Sequence, residues 1–339
     1  MKGRGRLLVV SDLHRAGPGE RQRRGFDERV VRGRMARVLS RWYRHYVWLA
    51  DPMAHNHLLG EILRREAGSA WVVANGDFTL DTAFVGVSDD AAMESATEAL
   101  AELRSMPGAA VRGVLGDHDL GKKSLVGDAG GPRWRSLERC ESELGLPRLW
   151  HEDFPGWRWV GVTSTLVAWP VFRPEAPAGE WDRWDRAHRE HLGAVEALFS
   201  EAAADGRRLV LFCHDPTALP FLGRLEGVRR ALPLLETTVI GHLHSPWVLR
   251  VGQSLSGMPR IGWAGHTVRR YSTALGQARW WRTFRVTLCP SPTGIQCRRD
   301  GGYLVGDWPP ASGGLTWERR PLEWDAVPGK RRVNGSGRR

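Results

Sequence analysis

The chain has 339 residues, 42% hydrophobic and 26% charged, proportions that exclude wholesale disorder and allow a sizeable core. Its 49 Lys and Arg against 38 Asp and Glu leave a net charge of +11, and only Lys2, Lys122, Lys123 and Lys330 are lysine. Four cysteines without a CxxC pair read as reduced thiols, and no run of 18 apolar residues exists. A disulfide scaffold and a transmembrane segment are thereby excluded, and a cytoplasmic location is expected.

In chain order, short apolar runs end repeatedly in polar or acidic residues. Leu7–Val10 runs into Ser11-Asp12-Leu13-His14, Ala70–Ala74 into Asn75-Gly76-Asp77, and Val111–Leu115 into Gly116-Asp117-His118-Asp119. Leu209–Cys213 runs into His214-Asp215, and Thr237–Ile240 into Gly241-His242-Leu243-His244. Runs of this length, rich in β-branched residues and bounded by Gly or Pro, predict buried strands. Helical patterns at Asp89–Arg104 and Asp185–Ala204 separate several of them, with Ser88, Asp89 and Asp90 available as caps. Alternation of strand and helix predicts an α/β fold, and ligands in such folds gather beyond the carboxyl ends of strands. Trp159–Thr163 reads as a further strand, and Phe284–Leu288 with Gly302–Val305 as a late hairpin region.

Two segments depart from this rhythm. Arg15–Trp48 carries ten Arg against Glu20, Asp27 and Glu28, a net of +7, with Val31, Met35, Val38, Trp42 and Tyr46 at helical spacing. This is read as a basic amphipathic helix, part of a basic helical insertion over 15–65, its apolar stripe packed on the core. The tail from Arg319 carries a net of +5 and ends in a Gly-rich polar stretch. A catalytic domain over 1–305 and a basic, partly disordered tail over 306–339 are expected.

The strand ends carry the chemistry. Asp12, Asp77 and Asp117 with His14, His214, His242 and His244 all fall where they can converge. Three carboxylates packed together repel one another, and divalent cations resolve that repulsion. Mixed imidazole and carboxylate donors suit Mn, Fe or Zn, and seven of them exceed the needs of one tetrahedral ion. They fit two ions sharing a carboxylate.

These motifs, in this order, resemble the calcineurin-like metallophosphoesterase superfamily, whose pattern is Asp-x-His, Gly-Asp, Gly-Asn-His-Asp/Glu, a lone His, and Gly-His-x-His. The resemblance spans about residues 7–245. It implies a four-layer α/β/β/α sandwich. It also implies one metal held by Asp12, His14, Asp77 and His244, and a second by Asp77, Asp117, His214 and His242, with Asp77 bridging. Manganese is the first candidate for both, with iron or zinc as alternatives. A metal-bridging hydroxide would attack phosphorus in line. His118 would contact the phosphate or protonate the leaving oxygen, with Asp119 orienting it. Asp117 stands where the family has Asn, which adds negative charge beside the phosphate. Lys122 and Lys123 are candidate substrate contacts that would offset it, and His266 is a third. Leu80 occupies the place of the Tyr of purple acid phosphatases, which argues against a Tyr-ligated ferric site. His118 stands where UDP-diacylglucosamine pyrophosphatases carry Arg.

The expected function is therefore a metallophosphoesterase, a phosphatase or phosphodiesterase acting on a phosphorylated substrate. The alternatives are a nuclease or a lipid or nucleotide pyrophosphatase that holds substrate through the insertion. A third reading, from another class, is a catalytically vestigial binding protein. Residues 15–48 and the tail would then meet nucleic acid or an anionic membrane surface.

Overall fold

Alternation along the strands decides the layering. In β1 (Gly5–Val10), Leu7 and Val9 belong to one buried cluster and Leu8 and Val10 to another, as the two-residue period of a strand requires. Leu7 and Val9 face a second sheet, in a seam filled by Trp71, Trp150, Trp157, Trp159 and Trp308. Ring centroids there lie 5.2 Å apart for Trp71 and Trp159 and 4.4 Å for Trp159 and Trp308. Leu8 and Val10 face helices. Burying one such side chain fully is worth up to about 1.5–3 kcal/mol, so a one-residue slip of β1 would forfeit both seams at once.

The structure is a computed structural model and describes residues 5–31, 33–43, 53–124, 129–259, 261, 266–293, 301–310 and 314–322. The first sheet has the order β10-β9-β1-β2-β3, with β2 (Ser69–Asn75), β3 (Ala110–Val114), β9 (Gly302–Trp308) and β10 (Trp317–Pro321). The second has the order β4-β5-β6-β7-β8, with β4 (Leu149–Phe154), β5 (Trp157–Val162), β6 (Arg208–Cys213), β7 (Leu235–Ile240) and β8 (Val286–Leu288). β1, β2 and β3 are parallel, as are β5 to β8, so their carboxyl ends share one edge of each sheet. The helix Asp90–Arg104 covers the first sheet and the 24-residue helix Trp181–Ala204 the second, which completes an α/β/β/α sandwich. Asp89 caps the first helix by accepting a hydrogen bond from the Ala92 N–H.

Three expectations change. The late hairpin does not form: β8 pairs with β7 in the second sheet, whereas β9 pairs antiparallel with β1 in the first and turns back into β10. β9 therefore runs past residue 305 and β10 lies inside the expected tail; residues 323–339 fall outside the described residues. The basic insertion is not one helix: among the described residues it holds Pro18–Arg21, Phe26–Val30, Arg34–Tyr43 and His57–Arg65. Gly25 (φ +73°) and Gly33 (φ +95°) adopt left-handed backbone that interrupts a helix. Val31 is buried, but Met35, Val38, Leu39 and Trp42 are exposed, so the stripe is not packed on the core; Tyr46 lies outside the described residues.

Candidate metal centre

Five side chains of the cluster stand on residues with left-handed backbone: Asp12 (φ 55°), His14 (44°), Asp77 (58°), His242 (56°) and His244 (57°). Non-glycine residues avoid this region, and such strain persists only where the surroundings enforce it. Here they do. The β1–β2 ladder continues beyond the strands, with Asp12 N–H donating to Gly76 O at 3.0 Å and His14 N–H to Asp77 O at 2.9 Å. Asp12 accepts the His242 N–H at 2.9 Å, which ties the first sheet to the second. Gly116 and Gly241 have no room for a side chain: a Cβ on the former would overlap Asp77, and one on the latter would overlap Ser11 and Asp12.

The donors form two groups within one buried patch. Asp77, Asp117, His214 and His242 make one, and Asp12, His14 and His244 the other. Asp77 Oδ2 lies 3.3 Å from His214 Nε2 and 3.8 Å from His14 Nε2, so it stands between the two. His14 and His244 bring their Nε2 atoms to 3.2 Å, and His244 Nε2 lies 3.1 Å from Asp12 Oδ1. Donors bound at about 2.1 Å to a common ion stand about 3 Å apart, so the spacing fits a cation. His14, Asp77 and His118 form a third, overlapping donor group.

The outer atoms of the imidazoles support the same fit. His214 donates Nδ1–H to Asn75 O at 2.7 Å, which directs the buried Nε2 at the carboxylates without a well-formed hydrogen bond. Burial would raise Asp12, yet His244 and His214 outweigh it and hold the carboxyl at about 2. Burial likewise opposes ionisation of Asp77, and His214 and His118 pull it far below the usual range. Burial would lower His214, but Asp77 and Asp12 raise it well above an ordinary imidazole. A proton and a divalent cation therefore compete for its Nε2. The residues present fit two divalent ions in hardness, charge and spacing.

His118 lies beside the donors, at His14. Its Nδ1 is 2.9 Å from Leu80 O, its ring centroid is 4.4 Å from that of His14, and burial depresses its pKa. Asp119 does not orient it. Both Asp119 oxygens accept backbone N–H groups, from Asp77 (3.0 Å), Phe78 (2.8 Å) and Gly116 (2.9 Å). Asp119 thus braces the turn that carries Asp77, and burial raises its carboxyl to about 7. The Lys122 ammonium is buried between Phe26 and Phe84 and donates to the same Leu80 carbonyl at 2.5 Å. Lys123 donates to Gly130 O at 3.5 Å. His266 begins the helix His266–Gly276, and its side chain lies outside the described residues.

Two residues enter the site unannounced. Arg270, from that same helix, donates to Asp117 Oδ2 at 2.6 Å and to His242 Nε2 at 3.0 Å, and its guanidinium lies over the Phe172 ring. Asp215 Oδ2 stands 3.5 Å from the same guanidinium. Burial opposes the Arg270 charge, but Asp117 and Asp215 raise its pKa further. Asp117 thus presents Oδ1 to His242 and His214, at 3.2 and 3.5 Å, while Oδ2 is held by Arg270. The carboxylate that replaces the expected Asn has a cation of its own. No sequence motif marks Arg270; Asp215, which follows His214, was visible only as a neighbour.

No protein-family model matches the chain, and no curated protein sequence matches it. Among solved structures the matches include a dimetal phosphatase from Danio rerio, 13% identical, covering 94% of this chain and 97% of that one at a TM-score of 0.45.

Proposed function

We propose that the protein is a dinuclear metal-dependent phosphohydrolase. The observation that carries this reading is the buried Asp77, set between two donor groups of opposite flank. The motif order that resembles the calcineurin-like metallophosphoesterases supports it. Two divalent ions at such a site polarise a phosphoryl oxygen and lower the pKa of bound water. In this reading Asp12, His14 and His244 hold one ion, Asp117, His214 and His242 the other, and Asp77 both.

The remaining residues position these donors and receive the substrate. Leu80 O fixes the tautomer of His118, so its Nδ1 carries the proton and Nε2, in the donor group with His14 and Asp77, is left as an acceptor. A neutral imidazole there can take a proton or a hydrogen bond from an attacking water. Ser291 Oγ donates to Asp12 O at 3.0 Å and keeps that strained turn in place. The pocket beside Arg270 is lined by Asp215, Thr217, Leu243, Leu275 and Trp281, and is mostly apolar. It offers a place for an uncharged part of a substrate next to a guanidinium suited to phosphate.

The deciding experiment measures bound metal and the hydrolysis of an aryl phosphate monoester and an aryl phosphodiester with Mn, Zn and Mg. Two equivalents of metal, hydrolysis abolished by chelator, and a loss of about 100-fold or more in His118→Ala are expected. Protein that binds no divalent ion, or hydrolysis indifferent to chelator and to His118→Ala, would overturn the reading.

A further inference from the structure

The helix Arg34–Tyr43 is inside out. Its small residues Ala36 and Ser40 face the protein, with Ser40 buried, whereas Met35 is 76% exposed, Val38 and Leu39 61%, and Trp42 56%. At 3.6 residues per turn those four side chains fall within an arc of about 100°, an unbroken apolar face. Arg34, Arg37 and Arg41 lie along one flank of that face and are exposed too. Arg41 is paired with Glu28, and Arg37 donates to Val31 O at 3.2 Å, which leaves most of their donors to solvent. Folding alone gives no reason to turn four large apolar side chains to water while two small ones meet the body.

We propose that this helix lies in the plane of an anionic lipid surface. Met35, Val38, Leu39 and Trp42 would enter the acyl boundary, and Arg34, Arg37 and Arg41 would meet lipid phosphates. Charge weighs against an antiparallel second copy of the chain, because the arginine flanks of two such faces would then lie side by side, and against a parallel one because it would leave the arginines without an anionic partner. Shape decides against nucleic acid, because the arginines could hold a phosphate backbone but Met35, Val38 and Leu39 offer bases nothing to stack on. An anionic bilayer satisfies both the apolar face and its basic flank. A second exposed ridge, Trp247, Val251 and Leu255, has Arg250 as the exposed cation of its helix Pro246–Ser254 and lacks the same charge argument. The inference concerns the helix surface alone and does not depend on the hydrolytic reading.

Flotation of the full chain with vesicles tests it, using phosphatidylcholine alone and phosphatidylcholine with phosphatidylglycerol. Wild type is expected to float with the anionic vesicles and to stay with the buffer fraction on the neutral ones. Leu39→Ser/Trp42→Ser keeps every charge and is expected to weaken flotation at least tenfold with unchanged circular dichroism. Arg34→Gln/Arg37→Gln is expected to lower binding and its dependence on salt. Equal flotation of the Leu39→Ser/Trp42→Ser variant would mean that basic segments elsewhere hold the lipid, and would overturn the proposal. So would wild type that ignores anionic vesicles, or a dimer in sedimentation that the same double variant dissolves, or binding to single-stranded DNA alone.

Discussion

Two regions of the molecule break the ordinary rule of burial in opposite directions. At the strand ends, Asp12, Asp77, Asp117, His14 and His214 are polar and buried; on the helix Arg34–Tyr43, Met35, Val38, Leu39 and Trp42 are apolar and exposed. Folding stability favours neither arrangement. The difference lies in what each region awaits. In the readings proposed above, the strand ends would answer a small, hard, doubly charged ligand with converging donors and strained backbone. The helix would answer a wide, soft, anionic one with a flat apolar face. The connection that leaves β1 contributes to both, since Asp12 and His14 follow that strand and the helix begins twenty residues after His14.

The largest effect expected is at Asp77, where the two donor groups meet. Asp77→Ala should drop bound metal from two equivalents to one or none, with hydrolysis falling about 1,000-fold or more. Elemental analysis and the aryl phosphate assay read both quantities. Chelation of wild type should also lower its melting temperature, because buried carboxylates then lose their cations. If Asp77→Ala retains two equivalents, the strand ends are a polar core and the comparison with the exposed helix collapses.

A smaller effect isolates the ion pair that belongs to this chain. Arg270→Ala leaves Asp117 and Asp215 buried without their shared guanidinium. A cost of about 3 kcal/mol in denaturant unfolding of the metal-free protein is expected. Adding Asp117→Asn should recover part of it, because a carboxamide needs no cation; strictly additive losses would show that the two residues do not act as a pair. Metal affinity of the two single variants provides an independent reading.

How legible this was depended on how local the signal is. The strands of both sheets that bear ligands announce themselves by apolar runs ending in Asp or His, and the seven donors lie in motifs of fixed spacing. Alternation of strands and helices was enough to expect an α/β fold, and the resemblance to the metallophosphoesterases implied a sandwich of two sheets with helices outside. Arg270 gives no such signal: it is one arginine among 45, in a helix that begins 22 residues after His244, and only the fold brings it to Asp117. Asp119 misled because the family resemblance implied that it orients His118, whereas the short helix Asp117–Leu120 turns its carboxylate back onto the Asp77 turn. β4 was missed because its Glu152 and Asp153 pair with Arg112, Arg158 and Arg207 at a sheet edge, where the apolar run is short. In the insertion, Met35, Val38 and Trp42 share one face of the helix Arg34–Tyr43 while Val31 lies before it, and periodicity does not say which face meets the protein.

The smallest effect separates burial with a purpose from burial without one. His191, on the helix Trp181–Ala204, is as buried as the ligands, yet neither ring nitrogen has a hydrogen-bond partner among the described residues. Burial first, and then the charge of Arg148, hold its pKa at about 3. The sign follows from linkage: the folded ring stays neutral while an unfolded one takes a proton below about pH 6.5, so stability falls as pH drops from there toward 3. Between pH 7 and pH 5 the loss from this residue is about 2 kcal/mol. His191→Leu should match or exceed wild type in urea unfolding at pH 7 and exceed it by about that amount more at pH 5. The hydrolysis rate should not change, because no metal donor contacts this ring. The same urea series on Leu39→Ser/Trp42→Ser should show no pH dependence beyond that of wild type, since the helix Arg34–Tyr43 holds no His, Asp or Glu. A pH 5 advantage that appears in the helix variant and not in His191→Leu would mean that the acid-sensitive cost sits in the exposed region and not in the core.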